Sequence, residues 1–496
     1  MPPVQPSSPP TNRSLGRLGL ALYAIFLIAA LAFGLWLRDH SAGKGRLAAK
    51  EAAGKPNIVL IVADDLRLGH LRAMPRVSRR LGKRGIEFDR YYVSDPLDSP
   101  ARATLLTGRY PHNHGVTADS GSASLSALEE DDTLATWLED AGYRTAFVGK
   151  YMTGYGPDQA ERVPKGWSEW HALVDPASDF ADYAVSENGE IQRYGGDPRE
   201  FQTRVLGRFA SAAVRHAAHA NRPLFLQLSF SAPSPPAAPA PEDEGTLADL
   251  ELRRTRAFNE DDVSDKPSFI RRRPPLNEAA VARIDARQQR AAESLVEVDR
   301  QIERLLETLA SHGELDDTYF IFTSDHGYLD GEHRIELGRG LPHDAASRVP
   351  LIIRGPDVRA DSSSVAVVAD VDIAATIADI ADADPTTALD GRSLLPFASD
   401  PKRDDRGPVL IESPGKDGAS GEAYLGVRTD RYLYVRYANG EEELYDRQAD
   451  PLELDSVAGD PRYRETKRAL ARAVEDLAEC EGDGCTVAEI VAPEPR

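Results

Sequence analysis

The chain has 496 residues, with 59 lysines and arginines against 80 aspartates and glutamates, for a formal net charge of −21. That length fits one large α/β domain with an appendage, or about three smaller units, and the acidic balance argues against nucleic acid as a partner, since binding it needs a basic surface that releases counterions. An anionic substrate must meet a local basic pocket, and two cysteines, Cys480 and Cys485, exclude a disulfide-built scaffold while permitting one small clip within CEGDGC in an oxidising compartment.

Residues 1–17 read as a polar tail. The stretch LGLALYAIFLIAALAFGLWL, residues 18–37, holds 20 uncharged residues, the length that crosses a bilayer core as a helix. Arg13 and Arg17 precede it as in an export signal, but the run exceeds the usual apolar core and no clean small-residue cleavage site follows. An uncleaved transmembrane signal anchor is expected, with the large domain extracytoplasmic; cleavage would make the protein secreted. Arg38, Lys44, Arg46, Lys50 and Lys55 outnumber the preceding arginines, a bias that long translocated domains override. Residues 38–54 form a polar, Gly/Ala-rich linker.

NIVLIVADD, residues 57–65, is a short apolar run with β-branched content, the pattern of a strand buried on both faces. TLATWLEDAGYRTAFVGKY, residues 133–151, reads as helix then strand. PSPPAAPAPEDEG, residues 233–245, with the charged sequence up to RRRPP at 271–275, predicts a surface loop near a pocket mouth. ESLVEVDRQIERLLETLASHG, residues 293–313, places Leu295, Val298, Ile302, Leu305, Leu306 and Leu309 at helical spacing, closed by Gly313. TYFIFTSDHG, residues 318–327, is a second buried strand. The alternation predicts an α/β sheet flanked by helices.

In such sheets ligands collect beyond the carboxyl ends of strands. Asp64 and Asp65 end one strand; Asp325 and His326 end the other. A single aspartate there usually caps a helix or turn, but two strands ending alike point to hard oxygen ligands with one histidine, a set suited to Ca²⁺ or Mg²⁺.

The segments VADD (62–65), DSPARATLLTGRYPHNHG (98–115), TSDHGYLDGEHR (323–334), RVPLIIRGP (348–356) and ELYDRQADPLE (443–453) follow one another in an order that resembles the sulfatases of the alkaline phosphatase superfamily. VGKYMTGYG, VPKGWSEW and the terminal CEGDGC are similar to the N-acetylglucosamine-6-sulfatase branch. The resemblance implies a large mixed sheet flanked by helices over 55–398, a smaller C-terminal α+β subdomain over 405–492, one divalent cation, usually Ca²⁺, and hydrolysis of sulfate esters. In that family the cysteine or serine of CxPSR becomes formylglycine, whose hydrate attacks sulfur. The resemblance assigns Asp64, Asp65, Asp98, Asp325 and His326 to the metal. It assigns Arg102 to support of position 98, Lys150, Arg339, Ser234 and His343 to substrate, and Cys480 and Cys485 to a disulfide.

The departures fall on chemistry. Asp98 holds the formylglycine position and cannot be oxidised to an aldehyde, so no formylglycine is expected. Ser234 replaces a histidine, Arg339 a lysine, and His343 and Asp344 a tyrosine and a glutamate. Asp98 would bring a fourth carboxylate to the cation, and like charges a few Å apart repel by about 4 kcal/mol at an effective dielectric of 20. Three readings follow: an inactive pseudo-sulfatase that binds a glycan or partner, a hydrolase of sulfated or phosphorylated compounds using Asp98 itself as nucleophile, or a folding relic. Ser99 is a weaker nucleophile candidate, one residue off register. His112 and His114 are read as scaffold, and Trp167 and Trp170 as packing rather than a sugar pocket.

Overall fold

The computed structural model describes residues 54–490, apart from residue 120 and segments 175–178, 251–253, 416–420 and 488–489. The predicted tail, the anchor at 18–37 and the linker up to residue 53 lie outside the described residues. Among the described residues no helix is long and apolar enough to cross a membrane.

The larger sheet contains β1 (Asn57–Ala63), β2 (Ile86–Tyr92), β3 (Arg144–Gly149), β4 (Glu169–Val174), β5 (Asp182–Glu187), β6 (Glu190–Gly195), β7 (Leu224–Phe230), β8 (Thr318–Ser324), β9 (Leu351–Arg354) and β10 (Ser362–Ala369). Their spatial order is β10-β2-β9-β8-β1-β7-β3-β4-β5-β6. β1, β7 and β8 are buried at every position, as their unbroken apolar runs require of strands covered by helices on both faces. β1 runs parallel to both β7 and β8. The smaller sheet is an antiparallel meander of β11 (Val409–Ser413), β12 (Tyr424–Arg428), β13 (Tyr432–Tyr437) and β14 (Glu442–Asp446). The helix Arg464–Ala478 packs on this meander, and the Cys480–Cys485 disulfide follows it.

The predicted helix at 293–313 is the second half of a longer one, Glu278–Ser311. Its leucines are at most 1% exposed, so periodicity located the buried half. The earlier half, EAAVARIDARQQR, is made of good helix formers but buries little beyond Ala280, Ile284 and Arg287. Trp167 and Trp170 are packing residues: Trp170 stacks on Phe147 at 4.7 Å between ring centres and donates from Nε1 to Tyr155 at 2.7 Å.

His112 and His114 lie on the short helix Pro111–His114. His112 Nδ1 sits 2.8 Å from Glu412 on β11, tying that helix to the smaller sheet. His114 Nδ1 accepts from Val116 N at 3.1 Å, which fixes the proton on Nε2, 3.1 Å from Thr104 Oγ1. Burial, with Arg109 and His112 adding positive charge, holds His114 down to about 3. The unfolded chain therefore takes a proton below pH 6.5 that the folded chain refuses. Stability present above that pH is lost as pH falls towards 3, at about 1.4 kcal/mol per pH unit. Denaturant titrations between pH 6 and 4 should show a shallower pH slope for His114→Asn than for the parent by about that amount; equal slopes would refute it.

Candidate metal and anion site

β1 and β8 pair with Ala63 opposite Ser324, so the next residues, Asp64 and Asp325, emerge side by side. Asp65 N donates to Asp325 Oδ1 at 3.3 Å, and Asp65 holds a φ of +65°, a left-handed backbone that costs a non-glycine residue energy and is characteristic of functional sites. Lys150 follows β3. There Gly149, at φ +114°, admits no side chain, because a Cβ would meet Ser229 O at 1.8 Å. Asp98 opens the helix Asp98–Thr107 and Arg102 lies one turn on, on the same face. Arg339 comes from the loop after β8. Arg334 holds that loop, donating to the carbonyls of Glu260 at 2.8 Å, Asp261 at 2.6 Å and Arg273 at 3.2 Å.

The side chains converge. Arg102 Nη2 lies 3.0 Å from Asp64 Oδ1 and 2.7 Å from Asp325 Oδ2, and its Nη1 donates to Lys150 O at 2.7 Å. Lys150 Nζ is 2.6 Å from Asp64 Oδ2 and 3.3 Å from Asp98 Oδ2. Arg339 Nη2 reaches the same Asp98 oxygen at 2.9 Å, while Asp98 Oδ1 meets His326 Nε2 at 2.7 Å. One ligand atom each from Asp64, Asp98, Asp325 and His326 lies within 4.8 Å of the others. Asp65 is fully buried with neither carboxylate oxygen accepting a hydrogen bond. Asp65 Oδ1 has only longer ion-pair contacts, to His326 Nδ1 at 3.2 Å and Arg339 Nη1 at 3.8 Å, and three or four carboxylates with an imidazole fit a hard divalent cation.

Burial pushes Asp64 up to about 6 and raises Asp65. Burial also opposes ionisation of Asp98, but Lys150, Arg339 and His326 together hold it well below the usual carboxylate range. The expected repulsion at Asp98 is thus outweighed by three cationic neighbours. Burial disfavours the imidazolium of His326, yet Asp325, Asp98 and Asp65 push it up to about 10; a dication on these oxygens would compete with that proton.

Asp64, Asp65, Asp98, Lys150, Ser234 and Arg339 all line one cavity of about 650 Å³. His343 does not. It is fully buried, with Nε2 3.3 Å from Glu443 Oε1 and its ring 4.7 Å from His333. The predicted substrate contact at His343 is therefore corrected: the chain turns there into the short helix Asp344–Ser347, and the imidazole faces β14. Asp344 instead pairs with Arg428 at 2.6 Å. Sequence reading missed three residues here. Tyr328 and Thr153 line the cavity, and Asp119 Oδ2 lies 3.0 Å from Arg339 Nη2. Tyr328 lies within the quoted TSDHGYLD segment and could have been found; Asp119 sits in a loop without a pattern.

The family description "Sulfatase" matches residues 56–383, and "N-sulphoglucosamine sulphohydrolase, C-terminal" matches 331–480. The chain is 33% identical over 392 residues to the extracellular sulfatase SULF-1 homolog of Drosophila melanogaster, covering 76% of this chain and 35% of that one. It is 34% identical over 347 residues to a putative extracellular sulfatase of Caenorhabditis elegans, covering 68% and 48%. It thus spans about a third to a half of those two relatives. Human N-acetylglucosamine-6-sulfatase is 30% identical over 454 residues, with 82% of each chain covered. Among solved structures, one in complex with its substrate D-glucosamine-2-N,6-O-disulfate superposes with a TM-score of 0.74 at 23% identity, covering 86% of this chain and 98% of the other. Paired acidic strand tips, the helix bearing Asp98 and Arg102, and a family match over more than half of its length together place this chain in the sulfatase family.

Proposed function

We propose that this chain binds a sulfate ester of an amino sugar, of the N-acetylglucosamine 6-sulfate kind, at a Ca²⁺ centre, and that Asp98 closes the formylglycine route to its hydrolysis. One observation carries this reading. The Asp98 carboxylate spans Lys150 at 3.3 Å and Arg339 at 2.9 Å, the two cations expected to receive the sulfate. It stands in the protein as a mimic of the bound anion. The substrate class is supported by relatives named N-acetylglucosamine-6-sulfatase and by the fold neighbour that holds a glucosamine disulfate.

A bound dication would polarise ester oxygens and offset the carboxylates. Arg102 aligns Asp64 and Asp325 for that ion, and Lys150 and Arg339 orient the sulfate. Ser231 and Ser234 line the side where the family histidine would stand, and among the described residues no histidine lines the cavity. A sugar alcohol leaving there lacks the histidine acid of the family, a loss of about 10²–10⁴ in rate where general acid catalysis by that group is missing. In the same proposal the protein lies outside the cytoplasm: the apolar run at 18–37 has the length of a membrane anchor, and the clip at Cys480–Cys485 suits an oxidising compartment.

Calorimetry in Ca²⁺ should give glucosamine 6-sulfate about tenfold or more tighter binding than glucosamine, with no sulfate released over a day. Equal affinities would sink the binding reading. Sulfate release abolished by chelator would sink the closed route. A second reading, attack on phosphorus or sulfur by Asp98 itself, is favoured by its full ionisation facing the cavity; it requires turnover in the parent that vanishes in Asp98→Asn.

A further inference from the structure

We propose that Asp119 is the positioning residue that aims Arg339 at the anion seat, with Asp119 and Arg339 working as one unit. Arg339 Nη2 lies between two carboxylates: it donates to Asp119 Oδ2 at 3.0 Å and forms an ion pair with Asp98 Oδ2 at 2.9 Å. The other Asp119 oxygen receives Ser99 Oγ at 2.9 Å and Ser99 N at 3.3 Å. Ser99 Oγ in turn accepts from Thr153 N at 3.3 Å. One carboxylate therefore ties three separate pieces of chain, namely the first turn of the Asp98 helix, the loop after β3 that carries Lys150, and the loop that carries Arg339.

The chemistry explains why a second carboxylate is needed. A lysine reaches an anion as a compact point charge, whereas a guanidinium binds through a planar fork whose direction must be set. The Arg339 side chain is 28% exposed, so solvent competes for it on one side; that of Asp119 is 8% exposed and holds the other. Without Asp119 the long arginine side chain keeps Asp98 at 2.9 Å and, more weakly, Asp65 at 3.8 Å, and a ligand that displaced Asp98 would meet a poorly aimed cation.

The affinity arm of the test rests on the sulfated-sugar reading above. Affinities for glucosamine 6-sulfate in Ca²⁺ are measured for the parent, Asp119→Ala, Arg339→Ala and the double variant. Each single change is expected to weaken binding about tenfold, the scale of one charged hydrogen bond, and the double variant to bind no more weakly than Arg339→Ala alone. A general structural role would instead make the losses add. Ca²⁺ affinity of Asp119→Ala should stay within about threefold of the parent, and a larger loss would mean that Asp119 shapes the whole centre. Independently of any sugar, side-chain nitrogen NMR should show hindered rotation of the Arg339 guanidinium in the parent, relieved in Asp119→Ala and retained in Ser99→Ala. Additive losses, or an Arg339 still restrained without Asp119, would overturn the proposal. If the parent binds no sulfated sugar, the function proposal fails and the NMR result alone decides the role of Asp119.

Discussion

Asp98→Cys, produced in a host that converts such cysteines to formylglycine, is expected to raise sulfate release from background by about a thousandfold or more. Two effects act together. The change supplies a hydrated aldehyde whose sulfo-intermediate collapses by elimination, and it removes a carboxylate that neutralises Lys150 and Arg339. With a dication bound, four carboxylates face that ion, Lys150, Arg102 and Arg339, leaving one net positive charge; a neutral residue at position 98 leaves two. The rate stays below that of a complete relative because Ser234 gives no proton to the leaving group. The check is sulfate release from glucosamine 6-sulfate by converted and unconverted variant side by side. Equal rates in both would show that position 98 is not what closes the route.

Arg102→Met is expected to destabilise the protein by about 3–5 kcal/mol in chelator, the cost of removing one partner from a buried ion cluster. Arg102 is 2% exposed and sits between Asp64 and Asp325, themselves 1% exposed. Saturating Ca²⁺ should return a large part of that loss, since an ion at 100 times its dissociation constant stabilises by about 2.7 kcal/mol. The parent should also gain from Ca²⁺, and Asp325→Asn should gain little. Urea unfolding with and without Ca²⁺ reads all three. A variant as stable as the parent in chelator would mean that Asp64 and Asp325 are not charged neighbours.

The metal candidates were legible because an apolar strand that ends in two polar residues is a local pattern, and two strands showed it. Asp98, Arg102 and Lys150 were legible through motif order. The sign of the shift at Asp98 was not: repulsion among aspartates can be counted along the chain, whereas Lys150, Arg339 and His326 outweigh it only through distances set by the fold. His343 was misplaced for a related reason, since its side chain follows a turn into a short helix that no periodicity announces. Asp119 joins the centre through contacts with Arg339 and Ser99, and spacing carries no trace of such contacts.

The Ala63 to Ser324 register joins strands whose tips lie 261 positions apart in the chain. A growing polypeptide therefore has no ion trap until nearly two thirds of it has emerged, so uptake of the cation reports that this long-range pairing at the centre of the sheet has closed. Nascent chains halted before β8 should be blind to Ca²⁺, and those halted after it should be protected by Ca²⁺ against proteolysis.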